Sequence, residues 1–295
     1  MPNQIVRVPQ LGGTDAAYQI SQPYDPAKPT IVLINSFTTT SELFQAQFSD
    51  SRLTDIANLL AIEPLGHGQT RARRESWTYW DSAEMNFQVM DALRISKVFV
   101  LGTSQGGSIA ARMAVLRPEK IIGLIPIGTS LDSESERSRQ LGCWDAPGVL
   151  QSIIMRWTVK NPTPDFEPDT KYCDFLIDTG FNDCSLQTRE FWRNSIKANY
   201  QGDAGRKRIR MAAINLAEHD GLHLRLPEVG CPVLWMQGNQ DAVYSVENAS
   251  QEIQLFVNSP DAQLVVVDGG AHLLNATHPG EVNGALVDFV KRQGL

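Results

Sequence analysis

Short apolar runs rich in β-branched residues, at positions 30–34, 59–62, 97–101, 121–127, 233–236 and 264–267, alternate along this chain with stretches of helical period. The helical stretches fall near 41–48, 79–93, 104–116, 246–256 and 280–290. Repeated strand-then-helix order predicts a mostly parallel sheet with helices on both faces, because parallel strands need crossover connections and hide both sides. Before the first of these runs, a Gly-rich connector (11–15) between strand-like segments 5–8 and 16–21 predicts a hairpin.

One interval breaks the rhythm. Between Ser133 and Pro227 no β-branched run occurs, and helical stretches near 149–158 and 188–200 are punctuated by Asn161-Pro162-Thr163-Pro164. The interval is too long for a loop. The expectation is a helical cap domain over 133–227 interrupting a sheet domain made of 1–132 and 228–295.

Chemistry concentrates at Val98-Phe99-Val100-Leu101-Gly102-Thr103-Ser104-Gln105-Gly106-Gly107, where a strand runs into Gly-x-Ser-x-Gly and straight out into a helix. That context is what a nucleophile elbow requires. The spelling excludes two other Gly-rich sites: Ser104 stands where a dinucleotide fingerprint needs its second glycine, and Ser108 where a phosphate loop needs lysine. A serine hydroxyl needs a base to take its proton, and the base needs a carboxylate to fix its tautomer. Downstream, Asp241 follows the run at 233–236 and His272 follows the run at 264–267, each at the carboxyl end of a predicted strand. Ligands in open parallel sheets bind at that edge, so Ser104, Asp241 and His272 are the candidate catalytic set. For the oxyanion, the candidate donors are the backbone N–H of Gln105 and, from the loop Asn35-Ser36-Phe37-Thr38, that of Phe37.

Other residues read more plainly. His67 lies in a Gly-His-Gly turn and His278 precedes a proline at a helix start, while Gly221 between His219 and His223 undermines a helical metal pair. Cys143, Cys173, Cys184 and Cys231 show no metal-finger spacing, so neither a metal nor a cofactor is expected. A net charge of −7 argues against nucleic-acid or anionic-membrane partners, and the basic run 205–210 reads as a solvated helix start. The N-terminus lacks a signal-peptide pattern, which makes a cytoplasmic location the expectation. A small-molecule substrate is the expected partner, with a homodimer left open.

With the elbow, acid and base in the order Ser, Asp, His, the chain resembles the α/β-hydrolase superfamily over nearly its whole length. The resemblance implies an α/β-hydrolase fold, an inserted cap and a serine hydrolase acting on carboxylic esters, lactones or thioesters. Asn35-Ser36-Phe37 and Gly66-His67-Gly68-Gln69-Thr70 are similar to the 3-oxoadipate enol-lactonase group, although Phe37-Thr38-Thr39-Thr40 and Glu63-Pro64-Leu65 depart from its pattern. Carbon–carbon bond hydrolysis, a lyase or cyclase role on β-diketone-like compounds, and a non-catalytic ligand receptor are the alternatives. Aromatic residues crowd the expected cap. Trp157, Phe191 and Trp192 are the candidate substrate contacts for a medium-sized hydrophobic or aromatic compound, and Arg156, Arg189 and Arg193 carry carboxylate-clamping chemistry without an assignment.

Overall fold

The computed structural model describes residues 3–293. Its strands are β1 (Gln4–Val8), β2 (Thr14–Ile20), β3 (Thr30–Ile34), β4 (Asn58–Ile62), β5 (Arg71–Ala72), β6 (Val98–Thr103), β7 (Ile121–Ile127), β8 (Val233–Gly238) and β9 (Ala262–Val267). They form one sheet in the order β1-β2-β4-β3-β6-β7-β8-β9, with β5 beside β2. Every neighbouring pair from β4 through β9 is parallel, and the predicted hairpin β1–β2 is antiparallel. The sequence pattern did not reveal β5, because two residues carry no periodicity. Its pairing to Thr14 and Asp15 alone makes it a strand.

The helices are α1 (Gln45–Phe48), α2 (Ser51–Thr54), α3 (Tyr79–Ala92), α4 (Gln105–Leu116), α5 (Glu136–Gln140), α6 (Ala146–Trp157), α7 (Thr170–Phe181), α8 (Leu186–Tyr200), α9 (Gly202–Glu218), α10 (Val246–Glu252), α11 (Leu274–Thr277) and α12 (Pro279–Arg292). Strand period divides the core in two. Val32, Ile34, Val98 and Val100 point to the side covered by Phe87 of α3 and Met113 of α4, while Ile31, Leu33, Phe99 and Leu101 point to the side covered by Leu286 and Phe289 of α12. Both faces of each central strand are therefore dry, which is why these runs are apolar throughout rather than alternating.

Between β7 and β8 lie α5 to α9 and, among the described residues, no strand. This insertion has its own core of Leu150, Trp157, Tyr172, Ile196, Tyr200 and Ile209. The side chains of Asp145, Asp169 and Ser185 cap α6, α7 and α8. The basic run 205–210 is not a solvated helix start throughout. Arg206 is buried in α9, donating to Asp203, to Thr163 Oγ1 and to the carbonyl of Trp157, and Gly205 has no room for a side chain against the Tyr200 backbone. Tertiary packing of the insertion overrode a local pattern that looked exposed.

The edge-to-face pair of Phe99 and Phe289, with ring centroids 5.9 Å apart, ties β6 to α12. Phe289→Ala should cost roughly 3–5 kcal/mol through lost burial and a residual cavity, read as a lower urea midpoint with unchanged slope.

Candidate active site

After β3 the chain turns to one side to form β4, then crosses back to form β6 on the other, so the direction of winding changes between β3 and β6. Their carboxyl ends lie in register, Ile34 opposite Gly102, and the loops leaving them diverge to opposite faces and leave a crevice. Ser104 stands in it. Because β6 ends at Thr103 and α4 begins at Gln105, a single residue must reverse the chain, and Ser104 does so at φ 57°, ψ −123°. Such a conformation in a non-glycine residue costs on the order of 1–3 kcal/mol and persists only when its surroundings hold it.

Those surroundings are specific. A Cβ on Gly102 would lie 1.9 Å from the carbonyl oxygen of Gly106, and one on Gly106 would lie 2.1 Å from that of Ile34. The Ser104 N–H donates to the Ile127 carbonyl at 2.9 Å, and Thr129 Oγ1 donates to the Ser104 carbonyl at 2.8 Å. The hydroxyl is thereby presented at the foot of a chamber.

His272 and Asp241 arrive from the carboxyl ends of the paired strands β9 and β8. His272 Nε2 is 3.0 Å from Ser104 Oγ, and Nδ1 is 3.0 Å from each oxygen of Asp241. Donation from Nδ1 to the carboxylate leaves Nε2 as the acceptor for the serine proton. Asp241 is itself held: Oδ1 accepts from the N–H groups of Val243 (2.7 Å) and Tyr244 (3.0 Å), and Oδ2 accepts from Gln237 Nε2 (2.8 Å). Neither the Phe37 N–H nor the Gln105 N–H donates to any group among the described residues. The Phe37 loop is shaped by Asn35, whose Nδ2 donates to the carbonyls of Ser36 and Thr39.

Several residues around this core carried no sequence signal. His67, read as a turn residue, is buried; its Nδ1 is 3.0 Å from the Leu65 carbonyl and its Nε2 2.8 Å from Gln105 Nε2. Since a carbonyl and an amide N–H flank the ring, Nδ1 carries the proton and Nε2 accepts. Burial pushes the His67 pKa down to about 4, so the ring stays neutral. Its edge also meets the Phe37 ring, with centroids 6.3 Å apart, so one imidazole braces both residues whose N–H groups are free. Behind His272, Tyr244 packs at 5.7 Å and donates its hydroxyl to Glu134 at 2.8 Å, a carboxyl that burial pushes up to about 7. Only the three-dimensional packing brings 134 to 244.

The chamber over Ser104 has a volume of about 590 Å³ counted out to its opening. Trp144, Phe175, Ile177, Phe181, Trp192 and Leu216 supply much of its apolar wall, and His272 is the one ionisable side chain among the described residues that line it. Of the three aromatic residues singled out from sequence, Trp192 lines the chamber. Trp157 lies instead in the insertion's core, edge-on to Phe166 and Tyr172, and Phe191 is 47 % exposed on an outer groove. The arginines are elsewhere too: Arg156 faces Asp169, Arg189 faces Asp178, and Arg193 faces Asp174. His219 and His223 do not form a pair, for His219 Nε2 lies 3.1 Å from the Asp132 carbonyl oxygen, which can only accept, and His223 Nε2 lies 3.0 Å from Glu252. Among the described residues no cluster of metal-ligating side chains occurs, and no helix is long and apolar enough to cross a membrane.

Residues 29–279 match the family model described as alpha/beta hydrolase fold. A Bacillus subtilis (strain 168) protein provisionally named 2-succinyl-6-hydroxy-2,4-cyclohexadiene-1-carboxylate synthase is 23% identical over 281 residues, covering 89% of this chain and 90% of that one. Among solved structures, a thermophilic esterase from Thermogutta terrifontis superposes with a TM-score of 0.78 at 19% identity, covering 98% of this chain and 99% of its own. Bromoperoxidase from Bacillus anthracis does so with 0.79 at 19% identity, covering 98% and 100%. At these identities the structural likeness is one of fold.

Buried histidines leave a signature in stability. His67 and His219 both have pKa values pushed down by burial to about 4 from 6.5. The unfolded chain therefore binds their protons first, so this contribution is full above pH 6.5 and is lost as pH falls toward 4. Glu134, raised by burial from 4.5 to about 7, has the opposite sign and loses its contribution as pH rises through that range. Between pH 4.5 and 6.5 the two histidines outweigh the one carboxyl, so the unfolding free energy should rise with pH. Glu134→Gln should steepen the rise by about 1.4 kcal/mol per pH unit, measured by urea titration across that window.

Proposed function

We infer, for a chain that belongs to the α/β-hydrolase fold family, that Ser104 is the nucleophile of a hydrolase acting on an uncharged, apolar carboxylic ester, lactone or thioester. The observation that carries this reading is the hydrogen-bonded chain from Ser104 Oγ through His272 to Asp241, with the hydroxyl opening into the apolar chamber. In the proposed reaction Ser104 Oγ attacks the carbonyl carbon while its proton passes to His272 Nε2. The carbonyl oxygen gains negative charge beside the free N–H groups of Phe37 and Gln105, each donor of this kind being worth about 10²–10³ in rate. His272 then gives the proton to the leaving oxygen or sulfur as the carbonyl re-forms. A water molecule, deprotonated by the same nitrogen, attacks the acyl-enzyme and releases the acid and the serine.

Helices α5 to α9 act in this reading as a cap that excludes water and selects the acyl or alcohol group. No arginine, lysine or carboxylate among the described residues lines the chamber, which disfavours an anionic lactone and favours an aliphatic or aromatic ester. The proposed substrate differs in this respect from the acidic compound that the enol-lactonase group's name implies.

Ser104→Ala should lower kcat/KM on p-nitrophenyl esters by on the order of 10⁴-fold or more while leaving the thermal midpoint in place. The same variant should lose labelling by a fluorophosphonate probe. Near-normal turnover by the alanine protein would overturn the reading. Asp241→Asn, which keeps the shape but reverses the imidazole's hydrogen bonding, should cost about 10⁴ in kcat, seen in a single-turnover assay.

A further inference from the structure

Two basic sequences more than a hundred positions apart, Arg71-Ala72-Arg73-Arg74 and Lys207-Arg208, meet across one surface cleft. The first leaves β5 and the second lies in the second turn of α9. The cleft encloses about 660 Å³ out to its opening and shares no lining residue with the chamber over Ser104. Five cationic side chains line it against two carboxylates, Glu75 and Asp203. Both carboxylates already serve lysine or arginine: Lys207 Nζ is 2.9 Å from Glu75 and 3.5 Å from Asp203, and Asp203 also holds Arg206 at 2.8 Å.

Arg71, Arg73, Arg74 and Arg208 have no carboxylate oxygen within 4.0 Å among the described residues. Buried arginines elsewhere in the molecule are matched, Arg112 by Asp220 and Arg206 by Asp203. Arg71 and Arg208 are instead held by neutral carbonyls: Arg71 Nη1 donates to Gly68 (2.8 Å) and Thr70 (2.9 Å), and Arg208 Nη2 donates to Asn199 (2.7 Å). Both guanidinium groups are half-buried, and burial lowers both pKa values, with Arg71 adding repulsion at Arg208. The Arg208 Nε and the Tyr200 hydroxyl, which senses both arginines, are buried with no hydrogen-bond partner. The carboxylate that acts on Arg71 from farther away, Glu63, accepts from the Ser41 N–H and hydroxyl and from the Gln69 N–H.

A second source of positive potential faces the same space. Asp203 and Ala204, in the first turn of the seventeen-residue α9, line the cleft, and Gln201 gives that helix no side-chain cap. Half-buried cations held together without counter-ions are costly, and the cost is relieved by an anion that accepts several N–H bonds at once. Guanidinium forks match phosphate oxygens in geometry, and a helix start adds backbone donors. A local excess of three positive charges calls for a dianion or more, whereas the chain's net charge of −7 repels a long polyanion.

We propose that this cleft binds the phosphoryl group of a small mono- or diphosphate compound, at a site separate from the Ser104 chamber. The test titrates the full chain with inorganic phosphate and inorganic pyrophosphate by calorimetry and thermal shift, ionic strength being held constant with sodium chloride. Saturable one-site binding and a rising thermal midpoint are expected. The double variant Arg73→Gln/Arg74→Gln, both exposed positions, should weaken binding at least tenfold without moving the midpoint of the anion-free protein, and Arg208→Gln should weaken it further. Ser104→Ala should bind as the parent does, which separates this test from that of the hydrolase reading. A midpoint shift reproduced by chloride alone would overturn the proposal. So would binding unchanged in the double variant, or binding to heparin with no response to either phosphate.

Discussion

A single residue, Ser104, reverses the chain between β6 and α4, and most of what surrounds it follows from that compression. With φ at 57° the turn brings the Ser104 hydroxyl to the chamber wall and within 3.0 Å of His272 Nε2. The two glycines beside it are required by contact rather than by flexibility, since a Cβ at either would overlap backbone carbonyl oxygen. Strain of this kind needs support, and the hydrogen bonds to Ile127 and from Thr129 supply it from β7 and the loop that follows.

Around the turn, positioning is achieved by neutral or fully bonded polar groups in a dry setting. His67 fits between an amide and a carbonyl as an uncharged ring, while Asp241 accepts from two backbone N–H groups and Gln237 in addition to His272. Each such group is stable in the interior because its donors and acceptors are matched. The same accounting marks the cleft beside α9 as different, because there the guanidinium groups lack opposite charge.

Much of the fold was legible because its cause is local. Apolar runs at 30–34 and 121–127 coincide with β3 and β7 to the residue, since a strand buried on both faces has no polar position to blur its ends. Within the insertion, α7 escaped notice, and the start of α9 was read as solvated: three consecutive basic residues after Gly205 look exposed, yet Arg206 finds Asp203 and a carbonyl in the interior. Trp157 and Phe191 illustrate a second limit. An aromatic residue on an amphipathic helix has the same signature whether it faces its own small core, a chamber or an outer groove.

The sequence by itself determined the alternation of buried strands and helices, the elbow, and the order of serine, acid and imidazole, because each depends on neighbours within a few positions. Tertiary structure alone decided which distant groups meet: His67 against Gln105, Glu134 under Tyr244, and Arg71 facing Arg208. Those meetings depend on strand order and on how the insertion packs, and no periodicity along the chain encodes a contact across it.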